Sequence, residues 1–269
     1  MKRYILLFAV LFAFVLNASA QKRIISLAPS LTKSIYQLGA GDQLVGFTSF
    51  CVNPTHNKVE VVASAVTVNL EKVISLQPDL VVASSLTNPE TLKKLNQLGI
   101  KTAMFPYPNS FDEICSYFIE IGKLTGHEGK AREIVTQSQQ ELEEIRQQRQ
   151  NTSKPSVFIE IGAKPLFGAA CNTFLDDYIT FAGGTNILKD QKQGSVTRES
   201  ILLSNPDYII LSRMGGFTGD EEYKTWMNYN ELKVAKNRHV YKITSEDMCS
   251  PTPSQFIEVL QEIIDLMDH

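Results

Sequence analysis

Glu71-Lys-Val-Ile-Ser-Leu-Gln-Pro-Asp-Leu-Val-Val-Ala-Ser84 and Glu199-Ser-Ile-Leu-Leu-Ser-Asn-Pro-Asp-Tyr-Ile-Ile-Leu-Ser212 are two versions of one pattern. Each opens with a glutamate, has an apolar pair two and three residues on, reaches Pro-Asp, and closes with a β-branched run ending in serine. The pattern reads as a short helix turned by Pro-Asp into a strand, with Asn69 and Thr197 as the two N-caps. A period of about 128 residues is too long for a solenoid, whose units repeat every 20–50 residues. It implies two similar α/β lobes in one chain, with an expected ligand cleft between them, where small molecules usually bind.

Working outward, Arg23-Ile-Ile-Ser-Leu-Ala-Pro29 reads as a short strand stopped by proline, with Ser30 capping a helix that ends at Gly39 and Gly41. Residues 44–50 and 100–105 read as further strands, and Ser110 with Glu113 as a capping box for a helix to about Leu124. Strands alternating with helices at this spacing predict βαβ units and mainly parallel sheets. Residues 129–150 differ: Ala131, Ile134, Val135, Ser138, Leu142 and Ile145 recur at helical spacing among Glu, Gln, Lys and Arg. A helix of that length is a rod of about 33 Å. It lacks the clean heptad of a coiled coil, so a connector is the better reading. Asn151-Thr-Ser-Lys-Pro155 breaks it, and a new strand begins at Ser156. The expected organisation is a signal peptide at 1–20, an N-terminal α/β lobe at 21–127, one long backbone helix at 128–152 and a C-terminal α/β lobe at 153–269. One continuous helix hinges less than several extended crossovers would, so small lobe movements are expected.

The first 20 residues carry a basic pair at Lys2 and Arg3, an apolar run, and Ala18-Ser-Ala20 before Gln21. That is the pattern of a signal peptide cleaved after Ala20. The apolar run is short for a membrane span, and the residue directly after the cleavage site is Gln21 rather than a cysteine that could carry lipid, so a soluble periplasmic protein is expected. Removing 20 of the 269 residues leaves 249, with 24 basic and 29 acidic side chains. That length suits two lobes, and mild acidity without a basic run argues against a nucleic-acid partner. The chain is expected to be a monomer.

Cys51, Cys115, Cys171 and Cys249 are widely spaced with no C-x-x-C, which supports neither a structural zinc site nor any other metal centre. Cys115 fits a helical core position. The other three fall in loops, near Met248 and His56 in sequence, and three readings stay open: a soft-metal site, a Cys171–Cys249 disulfide, or unpaired thiols. His127 and His239 read as loop residues. Tyr223, Trp226 and Tyr229 are either a surface aromatic group or, the better reading, aromatic packing under a helix.

Several fragments together resemble the helical-backbone substrate-binding proteins of bacterial ABC importers, which serve cobalamin, ferric siderophores and haem. They are Arg23-Ile-Ile-Ser-Leu-Ala-Pro-Ser30, Leu44-Val-Gly-Phe47, Asn69-Leu-Glu-Lys-Val-Ile74 and Gln77-Pro-Asp-Leu-Val-Val82 in the first half. Phe181-Ala-Gly-Gly-Thr-Asn-Ile187, Val196-Thr-Arg-Glu199, Asn205-Pro-Asp-Tyr-Ile-Ile210 and Val234-Ala-Lys-Asn-Arg-His-Val-Tyr241 follow in the second. The resemblance covers the mature chain in the family's order and is nearest the shorter, vitamin B12-binding members.

The resemblance implies that Glu71 and Glu199 dock in arginine pockets of the membrane permease. A glutamate in a first helical turn is also favoured by the helix dipole alone, by about 0.3–1 kcal/mol. The same acid in both copies is what favours docking. Ligand contacts are expected in loops at the carboxyl ends of strands: Pro29, Ser30, Phe50, Cys51, Ser84, Ser85 and Tyr107 from the first half, and Phe167, Arg213, Met248, Cys249 and Ser250 from the second. This set is apolar, aromatic and nearly neutral. Ala65, Ser84 and Gly194 stand where the cobalamin-binding members have tryptophans, and Cys249-Ser250 replaces a charged pair. Against the siderophore binders the arginines are thin, with Arg213 alone well placed. A corrinoid is the leading ligand and a ferric siderophore or haem the alternative, with no cofactor.

An exported α/β enzyme is the competing class, but the chain has no G-x-S-x-G, H-E-x-x-H, P-loop or G-x-G-x-x-G. No catalytic residue is expected. A third reading keeps the fold as a scavenger or sensor docking on another membrane protein.

Overall fold

The computed structural model describes residues 21–55, 58–64, 67–150, 153–212, 219–243 and 247–268. The first half runs β1 (Ile24–Ser26), α1 (Pro29–Gln37), a 3-10 turn (Gly41–Gln43), β2 (Leu44–Thr48), β3 (Glu60–Ala63), α2 (Leu70–Ser75), β4 (Leu80–Ser84), α3 (Pro89–Gln97) and β5 (Lys101–Phe105). Then come α4 (Phe111–Thr125), α5 (Glu128–Arg149), β6 (Ser156–Ala163), β7 (Leu166–Gly168), α6 (Phe174–Phe181) and β8 (Thr185–Asn186). The chain closes with α7 (Arg198–Ser204), β9 (Tyr208–Leu211), α8 (Asp220–Met227), α9 (Lys233–Asn237), β10 (Val240–Lys242) and α10 (Pro253–Asp268).

One sheet has the order β3-β2-β1-β4-β5, the other β10-β9-β6-β7 with β8 also on β6. β1 is parallel to β2 and β4, and β2 to β3. β6 is parallel to β8 and β9, and β9 to β10, while β7 is antiparallel. The α/β class with mainly parallel sheets is as the sequence implies.

The duplicated stretch builds the same local structure twice. The Asn69 side chain accepts from Lys72 N at 3.0 Å, and Thr197 from Ser200 N at 3.2 Å, capping α2 and α7. Each helix has one fully buried anchor, Val73 and Ile201. Each ends with a non-glycine residue at positive φ, Gln77 at 46° and Asn205 at 41°. Proline follows, and its missing N–H forbids another helical turn. The aspartate then clamps the neighbouring strand. Asp79 Oδ2 accepts from Arg23 N at 2.8 Å while Asp79 N donates to Arg23 O at 2.9 Å. Asp207 Oδ2 accepts from Ser156 N at 2.8 Å while Asp207 N donates to Ser156 O at 2.8 Å. The clamp sets the register one residue later, Ile24 opposite Leu80 and Val157 opposite Tyr208.

Two local readings shift. Ser30 lies inside α1, not at its cap; Pro29 is the first helical residue, a position that loses nothing by lacking an N–H. In the box at α4, Ser110 Oγ accepts from Glu113 N at 3.2 Å, but the Glu113 carboxylate reaches Asn109 N at 2.7 Å.

The chain divides into two compact units, residues 21–28 with Gly41–Met104, and Pro29–Ala40 with residues 105–268. This differs from the expected boundary at 127 and from a separate connector at 128–152. The long helix forms as predicted, but its stripe of Ala131, Val135, Ser138, Leu142 and Ile145 is buried within the second unit, where α5 packs on α4 and α10. A Cβ on Gly122 would lie 2.5 Å from that of Ala131, so glycine there lets α4 and α5 close on each other. α1 packs on α4, which carries it into the same unit.

In the first unit Ile25, Val73, Val81, Ala83 and Leu95 form the fully buried centre. In the second, Phe158, Ile201, Ile209, Leu211 and Val234 surround Trp226, which is also fully buried, so the aromatic group expected around Trp226 is core packing. A buried charge cluster lies beside it. Trp226 Nε1 donates to Glu160 Oε2 at 2.7 Å, the Arg198 guanidinium sits 4.4 Å from the indole centre, and Arg198 Nη2 meets Glu222 Oε2 at 2.6 Å. A run of rings continues the core, with Phe111 to Phe256 at 4.7 Å, Phe256 to Tyr178 at 4.1 Å and Tyr107 to Phe174 at 5.3 Å.

Candidate functional site

Glu71 and Glu199 occupy the same place in the two units, second residue of α2 and of α7, both exposed. Among the described residues neither makes an ion pair or a side-chain hydrogen bond. Their neighbours differ: Arg198 turns inward to Glu222 and Trp226, leaving Glu199 as the outward charge of its turn.

In the first unit, β1, β2 and β4 are adjacent and parallel, so the segments after β2 and β4 emerge at one end of the sheet. They project apolar side chains: Phe50 is 58% exposed and Leu86 79%. Cys51 Sγ lies 3.3 Å from Thr48 Oγ1, which holds it back toward the strand. Ser84 ends β4, its carbonyl and hydroxyl turning the loop by accepting from Thr87 N and Leu86 N. Ser85 instead lines an open groove of about 810 Å³ with Thr87, Leu92 and Met104, between α3 and β5.

In the second unit the carboxyl-end segments converge with α1 and α6. Lys33, one turn after Pro29 and Ser30, pairs with Asp247 and donates to Ser250 Oγ at 3.1 Å. Gln255 Nε2 holds the other Asp247 oxygen at 2.7 Å. Burial raises the Cys249 thiol, while the Ser212 hydroxyl and the Lys33 charge pull it down. Net elevation keeps it a thiol, not a thiolate, at neutral pH. Burial raises the Tyr107 hydroxyl, helped by Cys249, and also raises the Tyr178 hydroxyl, with Cys249, Tyr107 and Asp247 adding to it. Tyr107, Cys249 and Ser250 thus lie in one region of the second unit. Lys33, Asp247 and Tyr178 were not legible: a lysine and a tyrosine on amphipathic helices carry no signal until the fold turns them to one point.

Other candidates stand apart. Met248 is fully buried and has no surface for a ligand, because the 247–250 turn points it into the core. Phe167 is 39% exposed on β7, and Gly194 explains its place: a Cβ there would lie 2.5 Å from Phe167 Cε1 and 2.2 Å from Gly168 O. The Phe167 ring therefore fills the room a larger side chain at 194 would need. Arg213, Ala65 and His56 lie outside the described residues, as does the 1–20 segment. None of the four cysteines is in a disulfide, so Cys171 and Cys249 are not bridged. Among the described residues no three His, Cys, Asp or Glu side chains gather to hold a metal ion, and no helix is long and apolar enough to cross a membrane.

The model of the periplasmic binding protein family matches residues 24–246. An uncharacterised ABC transporter substrate-binding lipoprotein of Bacillus subtilis is 32% identical over 90% of this chain and 78% of its own length. A vitamin B12-binding protein of Yersinia pestis is 31% identical over 73% of this chain and 71% of its own. Among solved structures, the periplasmic vitamin B12-binding protein of Vibrio cholerae aligns with a TM-score of 0.78 at 25% identity, covering 92% of this chain and 96% of that one. With the duplicated α/β pattern and the family match spanning both sheets, the chain belongs to the periplasmic binding protein family, as a substrate-binding protein of the ABC-importer type.

Proposed function

We propose that this protein captures a corrinoid of the vitamin B12 type in the periplasm and delivers it, unchanged, to the permease of an ABC importer, docking through Glu71 and Glu199. The observation that carries the ligand class is the near-neutrality of the described residues in the carboxyl-end segments. Phe50, Tyr107 and Phe167 offer exposed aromatic surface, Pro29, Ser30, Cys51, Ser84, Cys249 and Ser250 add small or neutral groups, and Lys33 is already paired with Asp247. A triply charged ferric catecholate needs several charge-assisted donors, whereas a bulky neutral macrocycle needs apolar area and a few hydrogen bonds. The vitamin B12-binding relatives support the same direction. Residues 1–20 act as the leader, cleaved after Ala20, and the mature chain works as a monomer.

The test is to express the protein with its own leader, purify it without denaturation, and record the visible spectrum and mass of whatever it carries. It should bind added cyanocobalamin in equilibrium dialysis and release it chemically intact. A haem Soret band or a ferric charge-transfer band on the purified protein, with no uptake of cyanocobalamin, overturns the corrinoid reading.

A further inference from the structure

We propose that α7 docks on the importer permease through two side chains of one face, the Glu199 carboxylate and the Leu203 side chain, and that α2 repeats the contact with Glu71 and Ile74. This rests on the docking reading of the two glutamates and adds its apolar half. Leu203 is 88% exposed and Ile74 43%. Residues three or four apart share a helix face, so each apolar side chain stands one turn beyond its glutamate.

The fold holds these faces outward. On α7, Arg198, Ile201 and Leu202 share the inner face. Ile201 is fully buried, Leu202 packs against the core, and Arg198 is tied to Glu222 at 2.6 Å and stacked over the Trp226 ring. These holds fix the rotation of the helix, and with it the direction of Glu199 and Leu203. On α2, Val73 is fully buried and Leu70 packs against the same core. The cation next to each glutamate is engaged elsewhere, Arg198 by Glu222 and Lys72 by the Val61 carbonyl at 3.3 Å. Neither acid is neutralised within its own turn.

Leu203 and Ile74 belong neither to a buried core nor to the carboxyl-end segments, so neither the fold nor the ligand covers them. Substrate-binding proteins of ABC importers pair with a permease. One acid–apolar pair on each unit calls for a partner with two like sites, each presenting a cation with an apolar rim. An exposed ion pair alone contributes little. An apolar side chain packed beside it excludes water from the pair and adds buried area.

The test is uptake of cyanocobalamin, or of haemin where the purified protein carries haem, in cells that depend on this protein. Leu203→Gln should lower uptake about three- to tenfold and Ile74→Gln about two- to threefold. Ligand affinity and melting temperature should hold, since exposed side chains govern neither. Leu98→Gln, at a leucine 58% exposed after α3, should change nothing. Full uptake by Leu203→Gln where Glu199→Lys has weakened it overturns the apolar contact and leaves glutamate docking standing. An equal loss in Leu98→Gln overturns the contact too, and full uptake by Ile74→Gln overturns its repeat in α2. Full uptake by Glu199→Lys, or none by wild type, overturns docking and the apolar contact together. A wild-type dimer that Leu203→Gln dissociates in sedimentation gives this face to a second copy and overturns the permease contact.

Discussion

Glu160 sits on β6 with no solvent exposure, one carboxyl oxygen accepting from the Trp226 indole N–H and the other meeting no donor among the described residues. Burial pushes its carboxyl up to about 7; the Trp226 N–H opposes this, the nearby Glu222 carboxyl adds to it, and Arg198 offsets part of that addition. A proton on Glu160, shared toward Glu222, satisfies the bare oxygen. Between about pH 4.5 and 7 the folded state therefore holds a proton that the unfolded chain has released, so stability falls as pH rises through that window, by roughly 1–3 kcal/mol. Glu160→Gln mimics the neutral acid, keeps the Trp226 bond, and should flatten that slope, making the variant the more stable protein at pH 8. Denaturant unfolding at several pH values, followed by the fluorescence of the chain's single tryptophan, measures it. Identical slopes in the two proteins would remove Glu160 as the titrating group. Nothing in the sequence marks Glu160: one acid in an apolar strand reads the same whether its side chain is solvated or sealed.

At the scale of elements, the repeated helix–Pro-Asp–strand unit was readable because its causes are local. Buried anchor, helix-stopping proline and register-setting aspartate all lie within the quoted stretch, and the cap two residues before its start. Its parts should fail by different amounts. Thr197→Ala removes the cap bond to Ser200 N and should cost about 0.5–2 kcal/mol. Ile201→Ala empties a fully buried site and should cost about 2–5 kcal/mol. Urea unfolding that ranked the cap above the core anchor would contradict this account of how the element is held. The long helix was equally legible from its stripe, yet its assignment as a connector was not. A stripe states that a face is covered; whether α4 and α10 or another partner covers it depends on elements far away in sequence.

At the scale of the molecule, the two exposed glutamates are equivalent by the repeat, and docking through both predicts a coupled loss. Glu71→Lys with Glu199→Lys should leave cyanocobalamin affinity within about twofold, since both lie in capped helix starts and neither belongs to a ligand segment, and should abolish uptake in cells that depend on this protein. Each single reversal should weaken uptake, because complementary charge guides encounter and fixes orientation. Unchanged uptake in the double variant would sink the docking assignment. By itself the sequence determined the α/β class, the duplication, the places of the local elements and the family, since these follow from short-range spacing, capping and proline chemistry. Only the tertiary structure decided that α1, α4 and α5 join the second unit, that Met248 is sealed in the core, and that Lys33 meets Asp247 across 214 residues of chain. Such meetings are set by sheet order and helix packing, whose energies sum over many buried contacts, and no local pattern records them.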